Sequence, residues 1–295
     1  MTKIGFIGLG IMGSPMASNL LAAGFEVIGF DLMSEALGRL EAAGGTVAVS
    51  AGQAAAEADV VITMLPNHPH VEAAALGEGG VLDSAKPGTL YIDMSSIRPE
   101  TARRLAGVGA ERGIRVLDAP VSGGEKGAVD GVLSIMVGGA PEDFAAAAPV
   151  FAPLGKTVVH VGPAGAGQTV KAANQLVVGG TYALVAEAVV LLEASGLDAS
   201  IGLDVLAGGL AGSRILELKR KSMVAREFQP GFRIDLHHKD MGIILDAARD
   251  AEVALPVGNL VAALISAARA QGYGSLDHSA LLKVAENLSG KGAAA

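Results

Sequence analysis

With 295 residues, 51% of them hydrophobic, the chain can bury a sizeable core and is long enough for two domains. It has no cysteine, which excludes disulfides, thiolate metal sites and a cysteine nucleophile, and its net charge of −8 argues against nucleic acid or an anionic membrane as partner. Aromatic residues make up only 3%, so the core has to be built from Ala, Val, Leu and Ile with closely packed Gly.

In chain order, the apolar run 4–7 reads as a buried parallel strand that flows into Gly8-x-Gly10-x-x-Gly13, followed by a helix that stops at Gly24. In a dinucleotide site Gly8 permits a tight turn, Gly10 lets backbone approach a pyrophosphate, and Gly13 lets helix and strand pack closely. The helix N-terminus then offers N–H groups to phosphate. A second strand, 26–30, ends at Asp31, 18 residues after Gly13, where an acid accepts hydrogen bonds from a ribose. No charge occurs between Lys3 and Glu26, but four glycines, Pro15 and Asn19 interrupt the stretch and no basic leader precedes it. It therefore reads as the first core strand of a soluble chain, for which a cytoplasmic location is expected.

Ser34 is expected to N-cap a helix over 34–43 that Gly44-Gly45 ends, before a short strand 46–49 and a helix 51–58. The run 59–65 reads as a fourth parallel strand whose end lies beside the first. Ligands of such sheets bind at the C-terminal ends of the strands, so Leu65, Pro66 and Asn67 would line a nucleotide. The strand 89–93 delivers Ser95 and Ser96 to the same rim, although Ser96 reads equally well as a helix N-cap. After a strand at 115–117, Ser122-Gly123-Gly124 forms either a nest of N–H groups for a carboxylate or an ordinary glycine-rich turn. Strands 133–137 and 157–161 with a helix 141–151 complete an α/β domain ending near 162.

The composition then shifts. A helix over 166–195 is apolar on nearly all faces, so it is either central to its domain or shared with a partner subunit. The expected fold class is thus a Rossmann-type doubly wound α/β domain, 1–162, followed by an all-α domain, 163–295, built on that long helix and assembling as a homodimer or homotetramer. The tail 290–295 is expected to fray. Lys171 and Asn174 lie i and i+3 on one helix face among apolar neighbours. A lysine there either snorkels at the rim or is desolvated, and a desolvated ammonium exchanges its proton more readily near neutrality. The helix starts where the nucleotide domain ends, which favours the second reading. The histidine pairs His68-x-His70 and His237-His238 lack the i,i+4 spacing of a zinc site, so no metal is expected.

Taken together these residues resemble the β-hydroxyacid dehydrogenase family. Its cofactor motif matches Gly5-Phe-Ile-Gly-Leu-Gly-Ile-Met-Gly-Ser-Pro-Met16, its substrate motif Asp118-Ala-Pro-Val-Ser-Gly-Gly124 and its catalytic motif Gly167-Gln-Thr-Val-Lys171-Ala-Ala-Asn174, with Lys239-Asp240 similar to a second cofactor lysine. Ile62-Thr-Met-Leu-Pro-Asn67, Gly208-Gly-Leu-Ala-Gly-Ser213, Gly231-Phe-Arg-Ile-Asp-Leu-His237 and Asp277-His-Ser-Ala280 are most similar to the branch that reduces tartronate semialdehyde. The resemblance implies a nicotinamide cofactor held by Gly8, Gly10, Ile11, Met12, Gly13, Asp31, Leu65, Pro66, Ser96 and Lys239. It also implies a small anionic semialdehyde or hydroxyacid held by Ser122, Gly123, Gly124 and Asn174, with Lys171 as general acid/base. Arg214 and Phe232 are candidates for shaping the pocket. Branches acting on 3-hydroxyisobutyrate or on succinic or glyoxylic semialdehyde share the same lysine and stay open, whereas an inactive nucleotide-binding module is disfavoured by its presence. Cofactor choice is legible at the end of the second strand. Asp31 would repel a 2′-phosphate and the next cation, Arg39, comes a helical turn into the following helix, so NADH is expected to be preferred with NADPH usable.

Overall fold

The structure, a computed structural model, describes residues 2–291. Gly290 and Lys291 bond back to the carbonyls of Asn287 and Glu286, and the rest of the expected frayed tail lies outside the described residues. The chain divides into two compact units between Lys171 and Ala172.

The first unit alternates strands and helices. It begins with β1 Lys3–Ile7, α1 Gly13–Ala22, β2 Glu26–Phe30, α2 Ser34–Ala42, β3 Thr46–Val47, α3 Ala51–Ala56 and β4 Val60–Thr63. It continues through α4 His68–Leu76, α5 Val81–Ser84, β5 Leu90–Asp93, α6 Pro99–Glu111, β6 Arg115–Asp118 and β7 Val121–Ser122. The last elements are α7 Gly124–Val129, β8 Leu133–Gly138, α8 Pro141–Phe151, β9 Gly155–Gly162 and the start of α9 Ala166–Ala194. The sheet order is β3-β2-β1-β4-β5-β6-β8-β7, with β9 on β8. Strands β1 to β6 run parallel, β8 runs antiparallel to β6 and β7, and β9 parallel to β8. Both faces of the central strands β1, β4 and β5 are buried, which is why these read as continuous apolar runs rather than alternating ones. Ile4, Phe6, Ile62 and Ile92 pack into one core, while Ile7, Val61 and Tyr91 point into the other.

Ser34 does not cap α2. It is the first helical residue, Met33 is the cap, and Asp31 Oδ1 accepts the Met33 N–H from 2.8 Å. The capping signal fell to the stronger acceptor three residues earlier.

The second unit is helical, with the remainder of α9, then α10 Ala199–Gly208, α11 Arg214–Val224, α12 Ile234–Asp250, α13 Pro256–Ala270, a 3-10 turn His278–Ala280 and α14 Leu281–Leu288. Tyr182, Ala186 and Val189 of α9 join Leu203, Leu216, Ile244, Ile265 and Leu282 in its core. Among the described residues α9 is the one helix long and apolar enough to cross a membrane, and its packing fits the core helix of a soluble domain.

Candidate active site

Five strands end in one row. Phe30 pairs with Ile7, Ile7 with Thr63, Thr63 with Asp93 and Asp93 with Asp118. Every candidate of the first unit's loops follows that row within a few residues: Gly8, Asp31, Leu65, Pro66, Ser96 and Ser122 with its two glycines. This common edge is where the loops of an open parallel sheet meet a ligand.

At the first loop Gly8 adopts φ +96°, and a Cβ on Gly13 would collide with the Gly8 carbonyl. A Cβ on Gly10, in contrast, would meet nothing within 4 Å, and no side chain caps α1. Ile11, two-thirds exposed, and Met12 lead into that uncapped helix start. The donors and the room suit a phosphate. Asp31 holds the turn from beside it. Its Oδ2 accepts the Leu9 N–H at 2.7 Å while its Oδ1 takes Met33, and Arg39 reaches the Leu9 carbonyl at 3.4 Å. The guanidinium that seemed remote in sequence thus stands at the same turn as Asp31. On the next loop Leu65 donates its N–H to Ser95 Oγ at 2.9 Å, and Asn67 caps α4 through the His68 N–H. Ser96 is not the cap of α6, a position that Arg98 occupies.

Two buried carboxylates, Asp93 and Asp118, lie side by side at one end of the row. Burial pushes Asp93 up to about 7 against the hydrogen bonds from Ser95 and Thr63, and Asp118 adds to the rise. Burial likewise raises Asp118 to about 6, held back by backbone N–H groups. Those groups belong to the start of α9. Asp118 Oδ1 accepts the Gly165 N–H at 2.7 Å and Oδ2 that of Gln168 at 2.9 Å, so β6 caps the long helix. Gln168 closes the join from the other side, donating to the Ser95 carbonyl at 2.8 Å and accepting the Ile97 N–H at 3.0 Å. Lys171 follows one turn later and is buried. Ser122 ends β7, and Gly123 and Gly124 follow with φ of +140° and +63°, a backbone path that side chains resist.

In the helical unit Asn174 Nδ2 donates to Gln175 Oε1 at 2.8 Å, and Gln175 Nε2 donates to Asp240 Oδ2 at 2.6 Å. Lys239, on the second turn of α12, stands 3.0 Å from Asp240 Oδ1 as an ion pair without hydrogen-bond alignment. His237 does not pair with its neighbour His238. Its Nδ1 meets His278 Nδ1 at 3.0 Å, and its Nε2 the Gln175 carbonyl at 3.2 Å. Beside them Asp277 binds Lys219 at 2.9 Å and accepts N–H groups from Gly231, Phe232 and Ser279. Burial opposes its charge, yet His278, Ser279 and Lys219 hold it down to about 2. Arg214 is tied to Glu217 at 2.6 Å on the surface, and Phe232 packs edge-on against His237. Among the described residues no three His, Asp or Glu converge as metal ligands.

Sequence reading missed Asp93, Gln168, Gln175 and His278. The first closes a strand with a charge, and the two glutamines are among the polar residues in the first turns of a largely apolar helix, which is the signal that was available.

Two family models cover almost the whole chain. The NAD-binding domain of 6-phosphogluconate dehydrogenase matches residues 3–162, and the NAD-binding domain of NADP-dependent 3-hydroxyisobutyrate dehydrogenase matches 165–285. The chain is 42% identical to 2-(hydroxymethyl)glutarate dehydrogenase of Eubacterium barkeri, over 98% of this chain and 96% of that protein. It is 41% identical to 2-hydroxy-3-oxopropionate reductase of Escherichia coli, over 96% and 97%. A solved structure of Mycobacterium tuberculosis 3-hydroxyisobutyrate dehydrogenase with L-serine is similar at a TM-score of 0.89, with 39% identity and coverage of 96% and 99%.

Proposed function

The chain belongs to the β-hydroxyacid dehydrogenase family, and from that premise we propose that it reduces tartronate semialdehyde to D-glycerate, with Lys171 moving the proton. The coarser statement stands without the substrate: it is an NAD(P)-dependent oxidoreductase acting on hydroxyacids. The nicotinamide cofactor, when bound, supplies the hydride that arrives at the carbonyl carbon. The glycine turn at Gly8, Gly10 and Gly13 with Ile11 and Met12 would hold its phosphates, Asp31 its ribose, and Leu65, Pro66, Ser96 and Lys239 the remainder. Ser122 with the N–H groups of Gly123 and Gly124 would bind the substrate carboxylate, and Asn174 would orient it. Lys171 as ammonium gives a proton from Nζ to the carbonyl oxygen, and the resulting amine recovers one from water. In oxidation the same amine takes the proton of the hydroxyl. Such general acid catalysis is worth about 10²–10⁴-fold.

One observation carries the reading: a buried lysine on a helix whose start is bonded to the end of β6 and the loop after β5, the row where ligands of this sheet type bind. Oxidation of 3-hydroxyisobutyrate is a second reading with equal support, favoured by the second family model and the solved relative. The L-serine of that relative is itself a β-hydroxyacid, which supports a small β-hydroxyacid as ligand. Initial rates on tartronate, glyoxylic, succinic and methylmalonic semialdehydes, with the matching hydroxyacids in reverse, decide between them. The highest kcat/KM on tartronate semialdehyde supports the first reading, and the highest on the 3-hydroxyisobutyrate pair replaces it with the second. We place the enzyme in the cytoplasm as a homodimer or homotetramer, supported by exposed Val177, Leu184 and Leu191 at seven-residue spacing along α9.

A further inference from the structure

The buried polar chain of the helical unit has a direction. A carboxylate only accepts hydrogen bonds, so Asp240 Oδ2 requires the amide nitrogen of Gln175 to face it, at 2.6 Å. Gln175 Oε1 then points the other way and must meet a donor, which fixes Nδ2 as the atom Asn174 turns toward it, at 2.8 Å. What Asn174 can then offer a ligand is its Oδ1 and its second N–H. The second oxygen of Asp240 lies 3.0 Å from Lys239 Nζ. Asp240 and Gln175 are 3% and 5% exposed, so water competes little for these bonds. The backbone of the chain's middle member is fixed as well, because the Gln175 carbonyl meets His237 Nε2.

We propose that Asp240 is a positioning residue that sets the polarity of the Asn174 amide through Gln175 and orients Lys239 with its other oxygen. This rests on the reading that Asn174 serves the substrate and Lys239 the cofactor. One carboxylate on α12 thereby aligns both contacts. Replacing it with an amide frees Gln175 to turn over, which turns Asn174 over in response and presents a ligand with the wrong donor and acceptor.

The test exchanges the partners. Asp240→Asn is expected to raise the substrate KM about tenfold, the scale of a mispaired buried hydrogen bond, and to weaken NADH binding measured by fluorescence titration. Adding Gln175→Glu restores the acceptor: the amide introduced on α12 donates to the new carboxylate on α9, whose other oxygen accepts from Asn174. The double variant is expected to recover the substrate KM to within about threefold while NADH binding stays weak, a split that general destabilisation does not produce. Gln175→Leu, which cuts Asn174 from Asp240 and keeps both Asp240 and Lys239, is expected to raise the substrate KM alone and serves if the first variant fails to fold. A double variant no better than the single one, or wild-type KM in Gln175→Leu, overturns the proposal. Inactivity of the wild type on every semialdehyde and hydroxyacid would instead overturn the function. The proposal is then read from the Asn174 side-chain amide signal in ¹H–¹⁵N spectra, which is expected to move in Asp240→Asn and return in the double variant. An unmoved signal ends it.

Discussion

Asp31 and Arg39 meet at a single backbone residue, the acid on the N–H of Leu9 and the base on its carbonyl. The acid would still repel a 2′-phosphate, so kcat/KM is expected to favour NADH over NADPH, and Asp31→Asn with Leu32→Arg to shift the ratio toward NADPH. The residual use of NADPH is expected to depend on Arg39. Arg39→Ala should lower kcat/KM with NADPH about tenfold, as loss of one charge-assisted contact does, and leave NADH within about threefold. Equal losses with both cofactors would make Arg39 a brace of the turn only. If Lys171 is the proton donor proposed above, Lys171→Ala should cut kcat by about 10³ or more with NADH binding little changed, and retention of most activity would remove Lys171 from the chemistry. Residues such as Lys171 stand out in sequence because a charge in an apolar helix needs a reason. The reach of Arg39 does not, since it depends on where α2 turns after Asp31, a matter of a cap that Ser34 did not form.

The start of α9 depends on β6 through Asp118 and on the loop after β5 through Gln168. Beside this join Asp93 is protonated more readily in the folded chain than its ordinary 3.8, up to about 7. A raised carboxyl pKa means that the folded state holds the proton more tightly, so its contribution to stability is full below pH 3.8 and lost as pH rises through about 7. Asp93→Asn is therefore expected to be less pH-sensitive than wild type in denaturant titrations between pH 4 and 8, and relatively more stable at the upper end. Parallel profiles would mean that Asp93 does not titrate in that window. The order of elements was legible because strands buried on both faces and glycine-ended helices leave plain marks. The helices α4 and α5 left none, since Gly77, Gly79 and Gly80 break the pattern over a few residues. The antiparallel pairing of β8 was equally hidden, as an apolar run carries no sign of its direction.

At the scale of the molecule, Val170, Val177, Leu184 and Leu191 recur every seven residues and are all exposed. Such an exposed apolar line would be covered in an assembly of subunits. Light scattering is expected to give a dimeric or tetrameric mass at micromolar concentration. Leu184→Glu should lower it by at least half, and a wild-type monomer would remove the idea. The second unit's chemistry was partly legible: the resemblance pointed to Asn174 and Lys239, but the residues between them, Gln175 and Asp240, join only through folding, 65 positions apart.

The hub at Asp277 adds a consequence for the order of synthesis. All nine strands among the described residues and the helix cap from Asp118 are complete in the first 171 residues, so the nucleotide unit has its bonding partners once it leaves the ribosome. Helix α11 and the loop before α12 have to wait: Gly231 and Phe232 of the loop and Lys219 of α11 share an acceptor made about a hundred residues after the first unit ends. At the usual pace of about 5–20 residues per second, the stretch from Lys219 to Asp277 takes roughly 3–12 s, during which α11 lacks this anchor. A newborn chain stopped short of Asp277 is therefore expected to have a finished first half and an unfinished second.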